Sequence, residues 1–260
     1  MNDSVEVFRP STGTLDTIGA LAVPRGGHAA APLPDGTVLV VGGWIASRTY
    51  TPTAEVIDPD GGPIGRAADL PYTADALDAV AMADGRILVT GGQVRSGVAT
   101  NQAAIYDPAA DVWLPVGPMN TPRMKHYAVP LADGRVLVIG GTTDDETLLA
   151  STELFDPQTG TFSEGPQLTE PRYKLTGGAM VLDSNRVLIG GGGRSVEVLD
   201  LSSGEATVLE SFTERGSFTT VNALGSGSVL VLGGYDDRIS LTRSYVVLSP
   251  SDLGSAMKAS

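Results

Sequence analysis

The chain has 260 residues, with 33 glycines, 17 prolines, 5% aromatics and no cysteine. That composition favours tight turns over a helical core and excludes disulfides and cysteine-ligated metal sites. A net charge of −13, spread along the chain, argues against general binding to nucleic acid or to an anionic membrane.

Residues 6–21, EVFRPSTGTLDTIGAL, read as two strands around a turn, with no hairpin of their own before them. A second segment then recurs five times: LPDGTVLVVGG (33–43), MADGRILVTGG (82–92), LADGRVLVIGG (131–141), LDSNRVLIGGGG (182–193) and LGSGSVLVLGG (224–234). The aligned glycines at 43, 92, 141, 192 and 234 give a period near 50, which suits a four-stranded unit. Asp35-Gly36, Asp84-Gly85 and Asp133-Gly134 read as two-residue hairpin turns. The runs after them, such as Val38–Val41, are apolar on both faces, as expected of strands covered on both sides. The glycine pair ends each strand where a side chain would obstruct packing.

A strand–turn–strand pattern follows each glycine pair: EVIDPDGGPIGRAADL (55–70), AIYDPAADVWLPVGPM (104–119), ELFDPQTGTFSEGPQL (153–168) and EVLDLSSGEATVLESF (197–212). Asp-Pro makes the turn, and the outer strand carries a large residue such as Trp113 or Phe162. Residues 6–21 match the third of these copies.

From about residue 5 to 250 these features resemble the kelch repeat family. The resemblance rests on the glycine pair closing the second strand, the acidic-apolar third strand and the Trp of the fourth. It implies an all-β fold, a β-propeller of four-stranded antiparallel blades. Five blades are expected, with the N-terminal strand completing the last one, since kelch rings commonly close by mixing their termini. Residues 1–250 are then a single domain and 251–260 a C-terminal tail. A six-bladed ring or a fragment of a larger propeller are the alternatives.

An arginine opens the innermost strand in four of the five units: Arg25, Arg123, Arg172 and Arg215, with Ala74 in the other. Several kelch propellers hold acidic peptides or sugar acids with arginines at this repeat position, at one mouth of the central channel. By resemblance these four are ligand-binding candidates, with Lys125 and Lys174 two residues on and Asp75 beside the missing arginine. A planar guanidinium binds a carboxylate bidentately. The other reading pairs each arginine with carboxylates or carbonyls of its own blade. Trp44 and Tyr50, in a loop after a glycine pair, are candidate anchors for a sugar or peptide.

His28 and His126 occupy equivalent positions, filled by Leu77, Leu175 and Phe218 elsewhere. They read as packed side chains, not metal ligands. Asp144-Asp145-Glu146 reads as a solvated loop. There is no nucleophile elbow, phosphate loop or H-E-x-x-H motif, and no cysteine for the cross-linked site of copper oxidases with kelch architecture.

The expected function is a non-catalytic binding module for an acidic peptide, protein or glycan, with no cofactor, nucleic acid or membrane partner, and a monomer. The alternative is a carbohydrate-active enzyme of the epimerase or mutarotase kind, with Asp75 or Glu170 as base. Without a basic, apolar leader at Met1 the expected location is cytoplasmic, or secreted if the N-terminus is processed.

Overall fold

The computed structural model describes residues 3–46, 49–61, 64–241 and 245–254. Among them there is no α-helix, and none is long and apolar enough to cross a membrane. The described residues fall into two compact units, Met1–Met124 and Lys125–Ser260.

The first unit opens with a two-stranded hairpin, β1 (Ser4–Arg9) and β2 (Thr14–Ala20). Its first four-stranded antiparallel sheet runs in order through β3 (Ala29–Pro32), β4 (Val38–Val41), β5 (Ala54–Ile57) and β6 (Gly65–Ala67). The second comprises β7 (Asp78–Ala81), β8 (Ile87–Thr90), β11 (Ala103–Asp107) and β12 (Val112–Pro115), also side by side. A small hairpin, β9 (Gln93–Arg95) and β10 (Val98–Ala99), sits in the β8–β11 connection.

The second unit repeats the plan. The third sheet is β13 (Tyr127–Pro130), β14 (Val136–Ile139), β15 (Thr152–Asp156) and β16 (Thr161–Glu164). The fourth is β17 (Ala179–Val181), β18 (Arg186–Ile189), β19 (Ser195–Asp200) and β20 (Ala206–Ser211). The fifth has three strands, β21 (Thr220–Ala223), β22 (Val229–Leu232) and β23 (Tyr245–Leu248). Each unit is thus built of antiparallel sheets without an α-helix among the described residues, the all-β, four-stranded blades that the repeats imply.

Within each unit the first strands of successive sheets are neighbours: β3 with β7, and β13 with β17 with β21. Sheets therefore stack face to face, which is why the second strands are largely apolar. In β18, Val187 and Ile189 join the core shared with the third sheet, while Leu188 joins the core shared with the fifth. All three are fully buried. At about 1.5–3 kcal/mol per buried aliphatic side chain, these alternating faces are the main glue between blades.

The expected donation of an N-terminal strand to the last sheet is not seen. β1 pairs with β2 in a sheet of its own, and β21–β22–β23 stays three-stranded. The physical reason is apolar: Val5 and Ile18 of the hairpin pack with Val40, Ile57 and Leu21, covering the first sheet. The segment beyond residue 250 is not wholly a tail, because Leu253 is buried beside Val229, Val231 and Leu248. Residues 255–260 lie outside the described residues.

The hairpin turns differ in type from the two-residue reading. Gly36 N–H donates to Leu33 O and Leu33 N–H to Thr37 O, at 3.0 and 2.8 Å. Only the glycine has positive φ, +88°, whereas a two-residue type I′ loop needs it at both central residues. This is a three-residue loop, a type I turn closed by a left-handed glycine. The units at Gly85, Gly134 and Gly227 have the same bonds.

Candidate binding site

Three structural signals establish which residues are equivalent from blade to blade. The second glycine of each pair donates its N–H to one carbonyl of the next blade: Gly43 to Ala74 and Gly92 to Arg123 in the first unit, Gly141 to Arg172 and Gly192 to Gly216 in the second. Two residues further on, the backbone is left-handed: φ is +63° at Gly27, +51° at Ala76, +56° at Lys125, +55° at Lys174 and +56° at Phe218. These residues are also bonded in series, Ala76 N–H to Gly27 O in the first unit, and Lys174 N–H to Lys125 O and Phe218 N–H to Lys174 O in the second. A left-handed L-residue costs roughly 1–2 kcal/mol, so bulky side chains held there mark one end of each unit as over-determined, a feature concentrated at binding sites.

That register corrects the sequence alignment in the fifth blade. Gly216, not Arg215, stands where the other blades have Arg25, Ala74, Arg123 and Arg172. Thr219, not Phe218, stands where they have His28, Leu77, His126 and Leu175.

Residues 79–120 and 123–169 match the family model of the Kelch motif. These two stretches carry kelch repeats. No curated protein matches it. Kelch repeats generally mediate protein–protein interaction, which supports a binding module.

The kelch arginines are structural in the blades where their bonds are described. Arg25 donates to Gly42 O, Thr53 O, Thr53 Oγ1 and Glu55 Oε1 at 2.7–2.9 Å. Glu55 also accepts the N–H groups of Ala22 and Val23, at 2.7 and 3.3 Å. Arg172 donates to Glu197 Oε1, Gly191 O and Ser195 Oγ at 2.6, 3.0 and 2.8 Å. Glu197 in turn takes Thr169 N and Oγ1 at 2.9 and 2.6 Å. Each pair clasps the chain entering a blade to that blade's third strand. Arg123 and Glu153 hold the same repeat positions and are 0% and 2% exposed. The expectation that these three arginines present themselves to a ligand therefore gives way to burial inside the blade.

The signal was present in the sequence. Glu55, Glu153 and Glu197 recur where Arg25, Arg123 and Arg172 do. In the second blade both partners change together, to Ala74 and Ala104, and in the fifth to Gly216 and Val246.

Freed from that register, Arg215 does something else. Its Nη1 donates to Pro171 O and Gly192 O at 3.1 Å each, and its guanidinium lies over the Tyr173 ring at 5.6 Å. Lys174 approaches the same ring. Its Nζ is 5.0 Å from the centroids of Tyr173 and Tyr235, 6.0 Å from that of Phe218, and 2.9 Å from Tyr235 Oη. Burial alone would lower its pKa, but the Tyr235 hydrogen bond and the two phenols outweigh that and hold it above the ordinary lysine value. Asp237 lies 3.6 Å from both Arg194 and Arg215, and Lys125 pairs with Asp145. Among the described residues Lys174 has no carboxylate partner.

The first unit gathers a different set. Trp44 bridges Gly26 and Tyr50, and Asp75 bridges Gln93. Gln93 Nε2 donates to Tyr50 Oη at 2.6 Å, so a residue the sequence reading passed over ties two candidates together. A Cβ on Gly26 would come within 2.9 Å of the Trp44 indole, which explains the glycine. Arg48, in the same loop, lies outside the described residues.

His126 is buried, as read, whereas His28 is exposed; partial loss of water around its ring and the charge of Arg25 both lower the His28 pKa. Asp144 is committed to its own turn, accepting Glu146 N and Thr147 N at 3.0 and 2.6 Å. Glu170 accepts Arg194 N and Ser195 Oγ at 2.8 and 2.6 Å and sits 3.4 Å from Arg172, the posture of a structural carboxylate, not of a base facing a substrate.

Proposed function

We propose that the chain is a non-catalytic interaction module that binds an acidic segment of a protein partner at the left-handed end of its second unit, with Lys174 and Arg215 as the anionic anchors and Tyr173 and Tyr235 as the walls. The single observation that carries this is Lys174: a cation in a left-handed position, walled by three aromatic rings and held by a phenol instead of a carboxylate. A half-desolvated ammonium so placed gains more from an incoming carboxylate than one in open water. Lys125, next in the series, is already paired with Asp145, which leaves Lys174 as the cation of this end for an incoming carboxylate. Trp44, Tyr50 and Asp75 offer the first unit a separate, less charged contact set suited to hydrogen-bonded and stacked groups.

The test is an acidic-peptide and glycan array with the wild-type chain and with Lys174→Ala and Arg215→Ala. Each variant is expected to lose acidic-peptide binding by about tenfold or more, the scale of a charge-assisted hydrogen bond. Unchanged binding in both variants removes these residues from the function, and binding confined to neutral glycans removes the acidic partner.

A further inference from the structure

The fifth blade lacks both halves of the arginine–glutamate clasp, and the volume they fill elsewhere is open. A cleft of about 370 Å³ lies there, lined by Gly216, Thr219, Gly233, Glu214, Asp236 and Ser240 among others. That size falls in the range of ligand sites. Among the described residues its lining carries two carboxylates and several hydroxyls and no cationic side chain, while Phe212, Val231 and Leu241 supply apolar wall.

The equivalent slots show what such a space holds. In the first blade the guanidinium of Arg25 meets Gly42 O at 2.9 Å, together with a hydroxyl and a carboxylate. In the fourth, Arg172 meets Gly191 O at 3.0 Å, again with a hydroxyl and a carboxylate. Gly233 is the matching carbonyl of the fifth blade, and the Thr219 hydroxyl turns onto it at 3.3 Å. Carbonyl, hydroxyl and carboxylate are thus all present, with Glu214 supplying the charge in place of the lost glutamate, while Asp236 Oδ1 is taken by the N–H groups of Arg238 and Ser240 at 2.9 and 2.8 Å. Arg215, between the lining residues Glu214 and Gly216, points instead to Pro171 O, Gly192 O and Tyr173.

The geometry points to this cleft as a receptor for an arginine side chain of a partner peptide, which restores from outside the guanidinium that the blade lacks. The stem of such a residue packs on the apolar wall while its planar head takes the oxygens. None of Lys174, Arg215, Tyr173 and Tyr235 lines this cleft.

The experiment titrates the full chain with N-acetyl-arginine amide and with a short arginine peptide, against the same peptide carrying citrulline, a neutral isostere. Saturable binding that falls about tenfold or more with citrulline, and again with Glu214→Gln, is expected. Gly216→Arg refills the slot with the chain's own guanidinium and is expected to abolish the binding. A Cβ there meets only the Thr219 side chain within 3 Å, and that hydroxyl can rotate away. Absence of saturable binding, or equal affinity for arginine and citrulline peptides, overturns the proposal. Lys174→Ala is expected to leave arginine binding intact, so failure here and failure of the acidic anchor are told apart.

Discussion

Arg172 Nε donates to Glu197 Oε1 at 2.6 Å with both side chains wholly sealed from solvent. Two buried charges are tolerated because each has further polar partners: Gly191 O and Ser195 Oγ on the arginine, Thr169 N and Oγ1 on the glutamate. Sequence identity alone would rank Arg172 as a ligand residue. The coordinates make it a blade clasp.

Arg172→Ala is therefore expected to destabilise the fold by about 3–5 kcal/mol, because it strands a buried carboxylate. Adding Glu197→Ala should recover part of that loss, with a coupling of about 1–3 kcal/mol between the two sites. The second blade already carries the Ala74 and Ala104 combination. Urea unfolding of the wild type, both single variants and the double variant measures the cycle, and strict additivity would contradict the clasp.

Gly92 has φ +106°, and a Cβ on it would lie 2.7 Å from Asp75 O, a backbone atom that cannot step aside. Gly92→Ala should cost on the order of 3 kcal/mol. Gly134, at φ +89°, has nothing within 4 Å of the same added atom. Gly134→Ala should therefore cost only the left-handed penalty, about 1–2 kcal/mol. Thermal unfolding of the two variants side by side separates steric from conformational strain.

Acid should loosen the hairpins before anything else. Asp133 is held below the ordinary carboxylate pKa, first by the Arg135 side-chain hydrogen bond. At Asp84 and Asp183 partial burial pushes the other way, and the bonds from Arg86, Asn185 and Arg186 overcome it. A depressed folded-state pKa contributes stability above the unfolded value and loses it as pH falls through the folded one. The melting temperature should change little through these groups from pH 7 to about 5 and drop below about pH 4. Arg135→Ala should shrink that drop.

Trp113 Nε1–H donates to Ala68 O at 2.8 Å while its ring leans on Tyr106 at 5.1 Å. Trp113→Phe keeps most of the ring contact and removes the bond. A loss of about 1 kcal/mol is expected, read as a lower urea midpoint with an unchanged slope.

Much of the site was legible and part of it was misaligned for a physical reason. The Arg-Gly of 215–216 looks like the Arg-Gly of 25–26, so residue identity aligns them. The backbone aligns Gly216 with Arg25, because the Gly192 N–H and the left-handed Phe218 both count from Gly216. The short step between the last two glycine pairs also has a structural origin: β18 and β19 are joined by residues 190–194 alone, whereas β14 and β15 are joined by residues 140–151. Tyr173, Tyr235 and Gln93 were missed because nothing in their local sequence says that they face the neighbouring loop.

Read by itself, the sequence determined the repeat, the strand content, the positions of the turns and the glycine pairs, because these depend on neighbours a few residues apart and on a periodicity that five copies make plain. Only the tertiary structure decided which cations are sealed within a blade and which reach its end, because that choice depends on a glutamate some 25–30 residues away, brought to hydrogen-bond distance by strand pairing.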